Sequence, residues 1–216
     1  MTEKITLMEY FTLGGKFMYP LLIFSVATLA LVIDRLIYFL THNLRMKDIE
    51  ENVIKKLEEN NVNGAVEYLS KCKKNKVGAS IILEGLKMYN LGEHQIEKAL
   101  ESETGEKIKE LEKGFNFLAA LASISPLTGF LGTVSGMISA FRSIAMATEV
   151  NAQIVANGIF EALITTVYGL VIAIFALAFY NIYAHIVDSF VSDVEKVGTD
   201  MVSTIAIVKS KTKSGE

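Results

Sequence analysis

One carboxylate and two hydroxyls occupy places where polar groups are expensive. Glu161 opens an apolar run that carries no charge as far as Ala184. An ionisable group inside or at the rim of such a run usually faces protein or water. A plain interfacial carboxylate fits equally well, because a helix N-terminus favours negative charge. At about 100° per residue, Gly158, Glu161, Ala162, Thr165, Thr166, Gly169, Ala173 and Ala176 share one helical face. In a preceding apolar segment Ala122, Gly129, Thr133, Gly136 and Ala140 form a second narrow stripe, and Gly132 with Gly136 makes a small-x-x-x-small pair. Small residues let membrane helices approach closely, and threonine hydroxyls bond across such a contact or to water. The glycines therefore read as packing residues. For Thr133 and Thr166, composition alone leaves packing and polar lining both open.

These residues need helices of membrane length to hold them. Three segments concentrate the apolar residues of a chain that is 51% hydrophobic: Phe17 to Ile33, continuing to Leu40; Phe115 to Phe141; and Ala162 to Tyr180. Crossing a hydrocarbon core takes about 20 mostly apolar helical residues. Lipid offers no hydrogen-bond partners to the backbone, so the crossings are expected to be helices. The fold class expected is an all-α membrane protein with three transmembrane helices, the second and third extended into a helical cytoplasmic region. Most of the 21 Lys and Arg residues lie between the first two crossings, and none lies between Ser143 and Asn157. By the positive-inside rule the basic segments are cytoplasmic. The expected division is a periplasmic N-terminal segment over 1–16, crossings over 17–40, 115–141 and 158–183, a cytoplasmic helical insert over 41–114, a short periplasmic loop over 142–157, and a cytoplasmic C-terminal helix and tail over 184–216.

Within the insert, helices are expected over Lys47 to Glu59, over Gly64 to Cys72 with Asn63 as N-cap, and over Ala79 to Tyr89. Charges at helical spacing from Glu93 onward run without proline into Phe115, with Gly105 and Gly114 as weak points. Pro126 is expected to free a backbone carbonyl within the second crossing, with Ser123 or Ser125 near enough to bond it. Asp34 and Arg35 read as a membrane anchor, the long Arg side chain snorkelling to lipid headgroups. The first apolar stretch follows Glu3, Lys4, Glu9 and Lys16 rather than a basic n-region, so it is expected to be retained.

Several functions are disfavoured. A net charge of −3 with interleaved signs gives no footprint for nucleic acid. Cys72 alone forms no intramolecular disulfide, and His42, His94 and His185 show no metal-ligand spacing. No nucleophile and base pairing or phosphate loop appears, so no enzyme, cofactor or metal is expected. The internal repeats usual in a secondary transporter are absent.

Three motifs then resemble one family, the ExbB/TolQ/MotA proton-channel proteins, from Gly14 to about Asn181. Gly14-Gly15-Lys16-Phe17-Met18-Tyr19-Pro20-Leu21-Leu22, with Ser25 and Asp34-Arg35, is similar to the first-helix signature of ExbB and TolQ, with Asp where Glu is usual. The run from Ser125 to Met137, followed by Ala140-Phe141, resembles the second-helix motif; the run from Gly158 to Leu170, with Ala173-Ile174 and Tyr180-Asn181, resembles the third. Three crossings place the chain nearer ExbB and TolQ than MotA. The resemblance implies a homopentamer in the bacterial inner membrane, surrounding the membrane helices of an ExbD- or TolR-like single-span dimer and energising a TonB- or TolA-like protein. The transported ion would be the proton, carried by a membrane aspartate of the partner. Thr133, Glu161 and Thr166 fall on the family's proton-pathway residues. ExbB-like service of TonB-dependent uptake leads this reading; a TolQ-like role in the Tol-Pal envelope system and a non-conducting membrane scaffold are the alternatives. Phe175 stands where the family usually has proline, which questions a helix kink there.

The topology has a direct check. In intact cells a membrane-impermeant thiol reagent is expected to spare Cys72 and to label a cysteine introduced at position 2. Labelling of Cys72 with protection of position 2 would invert the topology.

Overall fold

The computed structural model describes residues 14–146 and 152–214. Its helices are α1 (Met18–Thr41), α2 (Lys47–Glu58), α3 (Val62–Cys72), α4 (Val77–Lys87), a 3-10 turn (Tyr89–Leu91), α5 (Glu93–Leu111), α6 (Phe115–Met146) and α7 (Ala152–Ser214). Among the described residues there is no strand, only an isolated bridge between Asn43 and Lys76. The protein is all-α, and α1, α6 and α7 are long and apolar enough to cross a membrane. Helix α6 runs on to Met146, so part of the loop expected over 142–157 is helical; residues 147–151, like the N-terminal 1–13, lie outside the described residues. The chain divides into two units, formed by the described residues of Met1–Asp34 with Gly114–Ile182, and of Arg35–Lys113 with Tyr183–Glu216.

The first unit holds the apolar segments. Met18, Leu21 and Ile172 form a small buried core, joined by Phe24, Ile164 and Tyr168. Its outward faces remain apolar: Ile23, Leu131 and Ile174 are each more than half exposed. A water-soluble surface rarely tolerates so much contiguous apolar area, whereas lipid accepts it. Pro126 lies within α6, and Ser125 Oγ donates to Leu121 O at 2.6 Å. That carbonyl lies one residue before the Ala122 carbonyl whose usual donor Pro126 lacks. Helix α7 passes through Phe175 without a break, so this chain has no proline kink at that position.

The second unit is built from short amphipathic helices packed in succession, α2 on α3, α3 on α4 and α4 on α5. Just past the end of α2, Asn60 adopts the left-handed region (φ 55°), where the Asn61 N–H reaches Lys56 O at 2.8 Å and the Asn60 N–H reaches Leu57 O at 2.9 Å. This is the Schellman arrangement that satisfies final helix carbonyls. The N-cap of α3 is Asn61 rather than Asn63. Asn61 Oδ1 accepts from the Gly64 N–H at 2.8 Å, and a Cβ on Gly64 would stand 2.6 Å from the Asn61 side chain. A cap residue outside the helical region (φ −104°, ψ 68°), three residues ahead of its donor, has the required geometry; Asn63 already lies inside the helix.

The later part of α7 buries Tyr183, Val187, Phe190, Val194, Val197, Met201 and Ile205, alternating steps of four and three for most of its length. Such a spacing keeps one seam against its neighbours. Lys196 Nζ donates to Glu50 at 2.8 Å, and Lys209 Nζ donates to Tyr89 O at 2.6 Å. Lys76 Nζ donates to Asp48 at 2.7 Å, which holds the Asp48 carboxyl below its usual range.

Two sequence expectations change at helix ends. The charged run from Glu93 is helical only to Leu111; Gly105 continues the helix, but Gly114 adopts φ +92° and accepts the N–H groups of Phe117 and Leu118 at 3.1 Å. Arg35 does not reach outward. It is 5% exposed, donates to Glu110 O at 3.1 Å and Leu111 O at 3.5 Å, and lies over the Tyr38 ring at 4.9 Å. A cation on the last carbonyls of α5 complements its negative end. Asp34, its neighbour, is exposed.

Candidate functional site

Helices α6 and α7 meet along their small residues. The small buried positions are Ser125, Gly129, Gly132, Gly136 and Ala140 on α6 and Ala162, Thr165, Gly169 and Ala176 on α7. Ala122, on the same expected stripe, is half-buried. The approach is backbone to backbone. A Cβ on Gly129 would stand 2.7 Å from Thr165 O and 3.0 Å from Thr166 Cα; on Gly169, 2.5 Å from Ser125 O. Gly136 has somewhat more room, at 3.1 Å from Gly158 O, whereas a Cβ on Gly132 would overlap Thr165 Oγ1. Each glycine is therefore fixed by a particular neighbour.

That approach brings three hydroxyls onto two carbonyls. Thr133 Oγ1 lies within hydrogen-bond reach of Thr166 Oγ1, of Ala162 O at 3.1 Å and of Gly129 O at 3.3 Å. Thr166 Oγ1 also reaches Gly129 O at 3.2 Å. Thr165, 1% exposed, can donate to Ala162 O at 2.8 Å or Gly129 O at 3.2 Å. Each carbonyl also belongs to a helix ladder, leaving one lone pair for a hydroxyl. Three protons then find three acceptors: the two carbonyls and one threonine oxygen. More than one arrangement satisfies them all. Thr166 can donate to Thr133 while Thr133 donates to a carbonyl, or Thr133 to Thr166 while Thr166 donates to Gly129 O. The pair can thus reverse its direction without leaving a group unbonded.

Glu161 lies elsewhere on α7. A Cβ on Gly15 would overlap its Oε1 and stand 2.8 Å from its Cδ. The carboxylate therefore lies against the backbone of the turn before α1, and Gly15 adopts φ +66°. Glycine suits that turn twice, for its conformation and for the closeness of the carboxylate. Gly14 packs beside it, with Ile164 Cγ2 3.2 Å from where its Cβ would be. The structure brings Thr133 and Thr166 together and places Glu161 about 7.5 Å away along the helix axis at 1.5 Å per residue. Residue types alone did not single out Thr165 or Gly15 as parts of the site. Thr165 shares a face with other small residues, but only the facing helix shows that its hydroxyl is enclosed. Among the described residues no group of His, Cys, Asp and Glu could hold a metal ion.

The profile of the MotA/TolQ/ExbB proton channel family matches residues 73–196. A putative biopolymer transport protein, ExbB-like 3, of Synechocystis sp. is 36% identical over 174 residues, covering 79% of this chain and 81% of its own length. The biopolymer transport protein ExbB of Salmonella typhimurium is 29% identical over 189 residues, covering 80% and 73%. The Tol-Pal system protein TolQ of Haemophilus influenzae is 43% identical over 84 residues, covering 39% and 37%. An all-α membrane chain with a hydroxyl-lined helix contact thus falls in a class of proton-channel subunits. The chain belongs to the MotA/TolQ/ExbB proton channel family, on its ExbB/TolQ side.

The contact distances rank the glycines. Gly129→Ala and Gly169→Ala drive a Cβ into backbone and are expected to destabilise the α6–α7 pair by about 1–3 kcal/mol, with Gly136→Ala costing less. Thermal unfolding of the purified variants in detergent checks the order. A lower midpoint for Gly136→Ala than for Gly169→Ala would contradict it.

Proposed function

We propose that the chain is an ExbB-like subunit of a motor driven by the proton-motive force in the bacterial inner membrane. In this reading five copies surround an ExbD- or TolR-like single-span dimer, with the 41–114 segment cytoplasmic, and energise TonB-dependent uptake. ExbB relatives match most of the chain, whereas the TolQ relative matches a shorter stretch, which supports the ExbB branch over a Tol-Pal role.

The observation that carries the reading is the Thr133–Thr166 hydroxyl pair in a family of proton channels. A carboxylate on the partner's membrane helix becomes a neutral acid when it takes up a proton and an anion when it releases one. A neighbouring hydroxyl can donate to the anion and accept from the acid. The reversible pair supplies both roles without adding a charge to the membrane interior, where a charge is costly. Glu161 contributes differently. A carboxylate near a constriction favours cations, raising the proton supply to the pathway. A scaffold needs the glycine seam but has no use for a reversible hydroxyl pair.

Thr133→Val and Thr166→Val keep the side-chain volume and remove the hydroxyl. They are expected to retain assembly and partner binding while lowering proton-dependent activity about tenfold to a hundredfold, the scale of a lost hydrogen bond to a charged group. Thr166→Ser is expected to retain much of the activity. A purely structural role reverses that order, because Val preserves packing better than Ser. Full activity in both Val variants, measured in cells alongside partner pull-down, would overturn the assignment.

A further inference from the structure

In the second unit, α5 and the later part of α7 leave an open groove of about 640 Å³ between them. Half-buried Ile108 and Val202, over buried Leu100 and Val194, give its lining an apolar character, and Glu97, Glu101 and Glu195 bring three carboxylates to the same lining. Among the described residues none of these carboxylates is in an ion pair. The groove therefore joins an apolar bed to uncompensated negative charge.

Two glycines line it. Gly198 is explained by its own chain, since a Cβ there would stand 3.1 Å from Leu100 Cδ1. Gly105 is not. It lies well inside α5, and nothing stands within 4 Å of the place its Cβ would occupy. A glycine inside a helix weakens it relative to alanine. Neither a turn nor an intrachain contact repays that loss, whereas a second chain approaching closely at this point would.

We propose that the groove seats the basic segment flanking the membrane helix of the single-span partner, an inference that rests on the motor reading above. The cytoplasmic flank of a single membrane helix is where Lys and Arg accumulate. On the proposed topology this is the side on which the groove lies. An amphipathic segment places its apolar residues on the groove surface and its cations against Glu97, Glu101 and Glu195, a helix-in-groove mode of recognition. Its backbone approaches α5 at Gly105. The charge complementarity also distinguishes it from an anionic lipid headgroup, which the three carboxylates repel.

The test uses the full chain co-expressed and purified with its single-span partner, carrying a photoreactive amino acid at Thr199 in the groove or, as control, at exposed Lys71. Thr199 is expected to cross-link to the partner segment beside its membrane helix, and Lys71 is not. Gly105→Leu is expected to cut the Thr199 adduct about tenfold or more, as overpacking a close contact does, while the partner still co-purifies through its membrane helix. Gly105→Ala is expected to maintain or raise the thermal midpoint and still reduce the adduct. Glu101→Lys with Glu195→Lys is expected to reduce it too. A co-purified complex in which Thr199 gives no partner adduct, cross-links to a second copy of this chain, or ignores Gly105→Leu overturns this inference and leaves the motor reading standing. Failure of the partner to co-purify at all removes both.

Discussion

At Gly129 and Gly169 two apolar helices come together so closely that main chain faces main chain, and the polar chemistry of the first unit follows from that distance. In lipid there is no hydrophobic force to press helices together; close packing and hydrogen bonds hold them. Removing the side chains at these positions lets the helices approach. The approach in turn carries Thr133, Thr165 and Thr166 to the carbonyls of Gly129 and Ala162. Larger residues at the glycine positions would hold the hydroxyls apart. The glycines therefore set the chemistry of the threonines, although they have none of their own.

The two units solve the burial problem differently. The first leaves many large apolar residues exposed and buries small ones along the α6–α7 contact, as expected where the surrounding medium is hydrocarbon. The second buries large aliphatic residues such as Ile49, Leu69, Ile81 and Ile82 and turns most of its charges outward, Arg35 excepted. Both rely on α7, whose buried positions change from small residues (Ala162, Thr165, Gly169) to large ones (Val187, Phe190, Val194) along one unbroken helix. Arg35 shows a related economy. Its guanidinium meets the final carbonyls of α5, so a charge that looked destined for headgroups satisfies a helix end.

The apolar segments were legible because hydropathy over about 20 residues is a local property. The stripes on α6 and α7 were legible because helical periodicity places small residues on one side. What the stripes face was not: a narrow small-residue face suits a pore and a helix contact alike, and only the pairing of Gly129 with Thr165 and Thr166 shows a contact within one chain. Gly15 against Glu161 was likewise hidden, since the two residues are far apart in sequence and their meeting depends on how α1 enters the unit. The misplaced cap at Asn63 was a local error, two residues from Asn61, because neighbouring asparagines offer similar propensities and geometry decides between them.

On the proposed function, Thr133 and Thr166 act as one hydrogen-bonded unit in proton movement. The most direct test is a double-mutant cycle on proton flux, with the complex reconstituted in liposomes and driven by an imposed membrane potential. If the hydroxyls form a single relay, Thr133→Val, Thr166→Val and the double variant should lose flux to nearly the same extent, because breaking either end breaks the unit. Losses that multiply, so that the double variant falls by the product of the singles, would show two independent hydroxyls and contradict the account.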